Sequence, residues 1–142
     1  MGLDMYLRAK TFIWGSSEED AAKARQIAEI LGIDLDVKEV TFKGMQWRKA
    51  NAIHGWFVRN VQDDEDDCRP YDVDIDDLEK LRDLCAKALT EKDATLLPPT
   101  GGFFFGSEVP DEYYWQDLTE TRDRITELLK IPRLYFEYQS SW

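Results

Sequence analysis

One segment, positions 40 to 62, has the side chains that could bind a small anion. Its basic residues are Lys43, Arg48, Lys49 and Arg59, and it contains no Asp or Glu. The whole chain of 142 residues, in contrast, has a formal net charge of -11. Lys and Arg bind phosphate oxygens through charge-assisted hydrogen bonds. This basic segment therefore predicts a local positive site for an anion on an otherwise acidic protein.

The basic segment also holds groups that suit the base of a nucleotide. Trp47 offers a flat ring on which a base could stack, and Asn51 and His54 offer hydrogen-bonding groups for the edge of the base. Because the three residues have the spacing i, i+4 and i+7, a helix would place them on one face. Arg48 and Lys49 would then contact the phosphate.

The uncharged loop from position 94 to 107, ATLLPPTGGFFFGS, is a second candidate wall of the site. Phe103 and Phe104 could close over a bound ligand, and backbone N–H groups near Ser107 could donate hydrogen bonds to it. A more conservative interpretation places one or two of the three consecutive phenylalanines in the core. Trp47 or Trp56 could likewise be a packing residue, and both interpretations stay open.

The residues available for catalysis are few. His54 is the only histidine, and the motifs GxSxG, HExxH, GxxxxGK[ST] and GxGxxG are all missing from the sequence. A lone histidine on a helix is more often a packed, hydrogen-bonded side chain than a general base. We therefore predict that the protein is not an enzyme and needs no cofactor. A hydrolase of nucleotides or phosphodiesters that uses His54 with one of the aspartates is the alternative.

The overall charge limits the class of partner. With 29 acidic and 18 basic residues, the chain lacks the cations that neutralise the many phosphates of double-stranded nucleic acid. The acidic run from Asp63 to Asp67 lacks the glycine and the ligand spacing of a calcium loop, which indicates a solvated loop. An acidic surface that imitates DNA and inhibits a host defence enzyme stays as an alternative.

The cysteine count and the length of the apolar stretches indicate whether the protein binds a metal or a membrane. Cys68 and Cys85 form no CxxC pair, and two cysteines with one histidine are too few for a zinc site or a disulfide framework. No stretch approaches the roughly 20 apolar residues of a membrane span, and the first residues lack the pattern of a signal peptide. We expect a cytoplasmic protein with no metal site and no membrane partner.

The hydrophobic pattern predicts one α+β domain spanning residues 1–142. Strands are predicted where Leu3, Met5, Leu7 and Ala9 alternate with polar residues, at 37–42 before a turn at Lys43-Gly44, and where Leu134, Phe136 and Tyr138 alternate. About four helices are predicted: one from a Ser16/Glu19 capping box to Gly32, one in the basic segment, one after an Asp76/Glu79 capping box, and one over 111–130. Both terminal strands would belong to one small sheet.

Five motifs carry a resemblance that spans the chain. They are the opening MGLDMYL, WRKANAIHGWF at 47–57, GFFFGS at 102–107, DEYYW at 111–115 and the closing YQSSW. Together they resemble a family of small proteins encoded by tailed phages and prophages, which is associated with the anti-CBASS sponges. The acidic run after Gln62 is not part of the resemblance.

The resemblance implies a phage counter-defence function in the host cytoplasm. Such a sponge binds the cyclic oligonucleotide signal of a bacterial immune system without cleaving it, and it assembles as a homo-oligomer. Exposed aromatics such as Tyr135 or Trp142 could form the contact between copies. The residue chemistry places the ligand contacts at Trp47, Arg48, Lys49, Asn51, His54, Phe103, Phe104 and Ser107.

Overall fold

A four-stranded antiparallel sheet and four helices make up the fold of residues 2–142, which the computed structural model describes. The strands are β1 (Asp4–Phe12), β2 (Glu39–Arg48), β3 (Tyr71–Val73) and β4 (Tyr135–Ser141). The helices are α1 (Glu18–Leu31), α2 (Asn51–Asn60), α3 (Ile75–Glu91) and α4 (Glu112–Leu128). The strand order is β2-β1-β4-β3, with every neighbouring pair antiparallel. The predicted α+β class, with both terminal strands in one sheet, is confirmed.

The two central strands follow the predicted alternation. Leu3 and the β1 residues Met5, Leu7 and Ala9 are buried, while their neighbours along β1 are partly exposed. In β4 the buried residues are Phe136, Tyr138 and Ser140. Helices α2, α3 and α4 supply most of the other core residues, and Met45, Trp47, Val73, Leu97 and Phe105 complete the core. Because each large apolar side chain contributes about 1.5–3 kcal/mol on burial, this face of the sheet is the main source of stability.

Strand β2 is longer than predicted, because Gly44 is not in a turn. Leu7 pairs with Met45 and Arg8 pairs with Lys43, so Gly44 is the extra residue of a β-bulge. A Cβ atom at position 44 would lie 2.7 Å from the carbonyl oxygen of Leu7, which explains the glycine. The strand continues to Arg48, and the prediction that Trp47 lies on a helix is wrong.

The first two turns of helix α2 are enclosed on all sides. Every residue from Asn51 to Phe57 is buried, so the prediction of one core face and one ligand-facing row is wrong. The uncharged loop covers the side that the sheet leaves open. At Gly55 a Cβ atom would collide with the side chain of Thr100 in that loop. The glycine therefore permits a close approach of the loop to the helix.

Helices α3 and α4 each bury one mainly apolar face. The buried residues are Leu78, Leu81, Cys85 and Ala88 in α3, and Tyr114, Leu118, Thr121, Ile125 and Leu128 in α4. Asp111 caps α4 by accepting a hydrogen bond of 3.0 Å from the N–H of Tyr114. The predicted Asp76/Glu79 capping box is wrong, because Asp74 is the N-cap residue of α3. None of the helices in residues 2–142 is long and apolar enough to cross a membrane.

Helix α1 lies outside the core. Its N-cap is Ser17 rather than the predicted Ser16, whereas the predicted left-handed cap at Gly32 is confirmed. Its only buried residue is Asp20, so the apolar side chains of α1 do not form a core face. Asp20 accepts hydrogen bonds from the Arg133 guanidinium and from the N–H of Trp14, and these hold the pKa of its carboxyl at about 2. This ion pair attaches the first turn of α1 to the segment between α4 and β4.

Candidate functional site

A cleft of about 310 Å³ opens where three parts of the chain meet. These parts are the β2–α2 junction, the segment 99–109 and the first half of α4. The polar and aromatic residues that line the cleft are Arg48, Lys49, Asn51, Ser107, Asp111, Tyr113, Tyr114 and Asp117. Four of the eight predicted ligand contacts, Arg48, Lys49, Asn51 and Ser107, are therefore brought together, and the other four do not line this cleft.

Lys49 lies in a slot between two glycines. Its φ of 56° is in the left-handed region, and its N–H donates a hydrogen bond of 2.7 Å to the carbonyl of Leu3. A Cβ atom at Gly2 would lie 3.2 Å from Lys49 Cε, and one at Gly106 would lie 3.4 Å from Lys49 Cβ. The distance at Gly2 is tight for a side chain, whereas Gly106 is favoured by its φ of 87°, and the lysine stem lies between the two glycines beside the cleft.

Arg48 ends β2 at the rim of the cleft and is only weakly paired. Its Nη1 lies 3.9 Å from Asp4 Oδ1, and its side chain is 68% exposed. An exposed pair at this distance contributes less than about 1 kcal/mol. The guanidinium can therefore bind an anion without giving up a strong internal contact.

Asn51 holds the uncharged loop in place instead of facing a ligand. Its Nδ2 donates to the carbonyls of Phe105 and Ser107 at 2.9 and 2.8 Å, and its Oδ1 accepts a hydrogen bond from the N–H of Thr100 at 3.1 Å. Both amide hydrogens are used, so the predicted contact with the edge of a base would break a loop contact. Asn51 shapes the wall of the cleft.

Trp47 is buried under α4. Its Nε1–H donates a hydrogen bond of 2.8 Å to Thr121 Oγ1, and its ring meets those of Phe57 and Tyr138 edge-on. Only 4% of the residue is exposed. No face of the ring is open to a base, so the structure supports the packing interpretation of Trp47.

His54 is fully buried and has a partner for each ring nitrogen. Tyr138 Oη lies 2.7 Å from Nδ1, and Asp66 Oδ2 lies 3.0 Å from Nε2. Burial raises the pKa of Tyr138 well above its usual value, so the hydroxyl stays protonated. It donates a hydrogen bond to Nδ1. Nε2–H then donates to the Asp66 carboxylate. Asp66 also accepts a hydrogen bond from Trp142 Nε1, and the histidine thereby connects α2, the acidic run and the C-terminal strand.

The three phenylalanines of the uncharged loop have different environments. Phe103 is 96% exposed, Phe104 is half-buried, and Phe105 is buried with its ring edge-on to His54. The conservative interpretation, with one or two of them in the core, is confirmed. The loop is also fixed to the sheet, because the Phe104 carbonyl accepts a hydrogen bond of 3.1 Å from the N–H of Leu3.

The acidic run is only partly solvated. Asp63, Asp64 and Glu65 are exposed as predicted, whereas Asp66 binds His54 and Asp67 accepts a hydrogen bond of 2.8 Å from Tyr71. Among residues 2–142, no three His, Cys, Asp or Glu side chains come together as metal ligands would. Glu65 also accepts a hydrogen bond of 3.0 Å from the Arg69 guanidinium, so three of the five carboxylates in the run have partners within the fold.

Asp117 and Tyr113 line the cleft and were not among the predicted contacts. Burial raises the pKa of the Asp117 carboxyl to about 7, and the negative charges of Glu120 and Asp111 add to this shift. The signal was present in α4, because Tyr114, Asp117 and Thr121 have the spacing i, i+3 and i+7 that places Asp117 beside the buried face. A carboxyl with such a pKa in a cleft is typical of functional sites.

The raised pKa makes stability depend on pH. Between pH 4 and 7 the folded protein holds a proton on Asp117 that the unfolded chain has lost, so stability falls as the pH rises through this window. We expect Asp117→Asn to gain about 1–2 kcal/mol in free energy of unfolding over the wild type between pH 4 and 8, after allowance for partial exposure. Urea unfolding across this range measures the difference. Glu127→Gln, an exposed carboxylate on the same helix, is the control, and a difference independent of pH would contradict the expectation.

Comparison of the chain with protein families, with characterised proteins and with solved structures finds no match in any of the three. The cleft combines two adjacent cations, an exposed tyrosine ring at Tyr113 and a carboxyl that titrates near neutral pH. Such a set of groups suits a small ligand with an anionic part and an aromatic part.

Proposed function

We propose that the protein is a phage counter-defence protein that binds a cyclic oligonucleotide immune signal, such as a cyclic dinucleotide, in this cleft. The ligand would be sequestered in the host cytoplasm without being cleaved. The observation that carries the proposal is the cleft itself, where Arg48 and Lys49 lie beside the exposed ring of Tyr113 on a chain of net charge -11.

Phosphate binding would rest on Arg48 and Lys49. An arginine binds phosphate through two parallel N–H donors, and a neighbouring lysine adds a point charge. Two cations in a cavity of about 310 Å³ suit a ligand with few phosphates. A duplex would instead need a broad basic surface, which an acidic chain does not offer.

Base stacking would rest on Tyr113. It is 74% exposed and lies at the cleft, so it takes the role that the sequence analysis gave to Trp47. Stacking of a base on an aromatic side chain contributes about 1–3 kcal/mol. Tyr113 lies in the first turn of α4, close to the cap at Asp111, and its backbone is therefore held by the helix.

Sequestration requires no nucleophile, and the described part of the chain supplies little for one. His54 is enclosed, and burial raises the pKa of the Cys85 thiol to about 12, which keeps it protonated. The hydrolase alternative would have to use Asp117 in place of His54. Recovery of the ligand after binding distinguishes these two functions.

We also propose that the protein works as a homo-oligomer. The cleft is at the lower end of the range of ligand pockets, about 300–1,000 Å³, and suits one nucleotide unit. The second unit of a cyclic dinucleotide would then be covered by another copy. Exposed apolar side chains available for such a contact are Trp14, Ile30, Leu31, Ile33 and Leu35 around α1, and Tyr135 and Trp142 are about half exposed. Light scattering with and without ligand measures the mass.

The function is tested by thermal unfolding with a panel of cyclic di-GMP, cyclic di-AMP, cyclic GMP–AMP and linear mononucleotides. A ligand that binds only the native state raises the melting temperature with its concentration. We expect a clear rise with at least one cyclic dinucleotide, which chromatography then recovers intact. A cleaved ligand would indicate the hydrolase, and a panel without any rise would favour the acidic inhibitor of a host enzyme.

A further inference from the structure

We propose that Asp117 selects the base of the ligand, because its ionised carboxylate can accept hydrogen bonds from both N1–H and the N2 amino group of guanine. The inference rests on the proposed function and adds to it the chemical class of the base. A guanine-containing cyclic nucleotide would then be preferred over one that contains only adenine.

The positions of two residues on α4 support this role. Tyr113 and Asp117 both line the cleft and lie four residues apart, so they are neighbours on one face of the helix, with Cβ atoms about 5–6 Å apart. Arg48 and Lys49 belong to the separate β2–α2 junction. One wall of the cleft can therefore hold the base while another holds the phosphate.

The carboxylate oxygens of Asp117 can accept hydrogen bonds from a ligand. The backbone carbonyl of Asp117 accepts a hydrogen bond from Thr121 Oγ1. The side-chain oxygens of Asp117, in contrast, accept no hydrogen bond from residues 2–142. An ionised carboxylate is an acceptor only. Guanine presents two adjacent donors on its Watson–Crick edge, whereas adenine presents one donor and the N1 acceptor. Adenine would therefore leave a desolvated carboxylate oxygen facing a lone pair, which a polar site rejects strongly.

The preference should change with pH. The charged groups near Asp117 are Glu120 on its own helix and Asp111 at the N-cap of that helix, and the cleft is also lined by Arg48 and Lys49 from the β2–α2 junction. Below pH 7 the protonated acid presents one donor and one acceptor. This donor and acceptor complement the edge of adenine, so lowering the pH should weaken the preference for guanine.

The experiment compares cyclic 3′,5′-GMP with cyclic 3′,5′-AMP by calorimetry at pH 8 and pH 5.5. Their phosphodiester carries one charge at both pH values, so Asp117 is the titrating group. At pH 8 we expect the wild type to bind the guanine ligand about 10–100-fold more tightly than the adenine ligand. This is the discrimination that a bidentate contact with a base edge provides. At pH 5.5 the ratio should fall several-fold. Asp117→Asn should prefer adenine at both pH values, because an amide pairs with the adenine edge in two hydrogen bonds.

Glu127→Gln is the matched control, since it removes an exposed carboxylate of α4 that does not line the cleft and should keep the preference for guanine. Binding of both ligands with a ratio that neither Asp117→Asn nor pH changes would overturn the role of Asp117 and leave the proposed function intact. If no cyclic mononucleotide or dinucleotide binds the wild type at millimolar concentration, the proposed function fails and this inference fails with it.

Discussion

His54→Ala is expected to lower the free energy of unfolding by about 3–5 kcal/mol, the range of large truncations in a core. The substitution removes two internal hydrogen bonds and leaves the hydroxyl of Tyr138 without its acceptor. An unpaired polar group in the interior costs about 1–3 kcal/mol by itself. It also leaves a cavity beside the ring of Phe105. Urea unfolding monitored by tryptophan fluorescence measures the loss.

Two further variants separate a structural role of His54 from a ligand-binding role. His54→Gln replaces the imidazole by an amide that can both donate and accept hydrogen bonds, and it should lose less stability than the alanine variant. Tyr138→Phe removes the hydroxyl alone, and its effect should not add to that of His54→Ala, since both break the same hydrogen bond. A stable His54→Ala protein that no longer binds nucleotide would contradict the structural role.

Arg48→Glu is expected to weaken binding of the cyclic dinucleotide by about 30-fold or more. A hydrogen bond to a charged group contributes about 1.5–3 kcal/mol, and the new carboxylate would also repel the phosphate. Since Arg48 is largely exposed and only weakly paired with Asp4, stability should change by less than about 0.5 kcal/mol. Calorimetric titration of the folded variant measures the affinity.

Arg59→Glu provides the control for this prediction. Arg59 is exposed, belongs to the same basic segment and undergoes the same change of charge, but it does not line the cleft. We expect it to reduce affinity by less than about threefold through weak, salt-screened repulsion. Equal losses in the two variants would show that the effect is one of overall charge and not of the cleft.

The parts of the fold that were predictable are those in which local pattern and burial agree. In β1 and β4 a period of two coincides with one covered face of the sheet, and in α3 and α4 an apolar stripe of period 3.6 coincides with the core. Strand β2 was cut short in the prediction because a glycine after a lysine indicates a turn. The bulge at Gly44 depends on pairing with Leu7 and Arg8, which lie far away in sequence.

Four residues of the candidate site were predictable from the sequence, namely Arg48, Lys49, Asn51 and Ser107. Arg48 and Lys49 are at the surface, as expected of basic side chains, because burying a charge without a strong partner costs free energy. Trp47 and His54, in contrast, are satisfied by Thr121 and Tyr138, which are 74 and 84 residues away. Residue type and helical spacing cannot reveal such partners, and the raised pKa of Asp117 likewise depends on the cleft around it.

The central claim is that the cleft is a nucleotide site, and an amide NMR titration of ¹⁵N-labelled protein with cyclic di-GMP tests it most directly. Binding there should shift signals at 48–51, 106–109 and 113–117, in the walls of the cleft. The spectrum of the nucleotide should show the intact compound throughout. Shifts confined to α1 or to the acidic run, or no shifts at millimolar ligand, would contradict the claim.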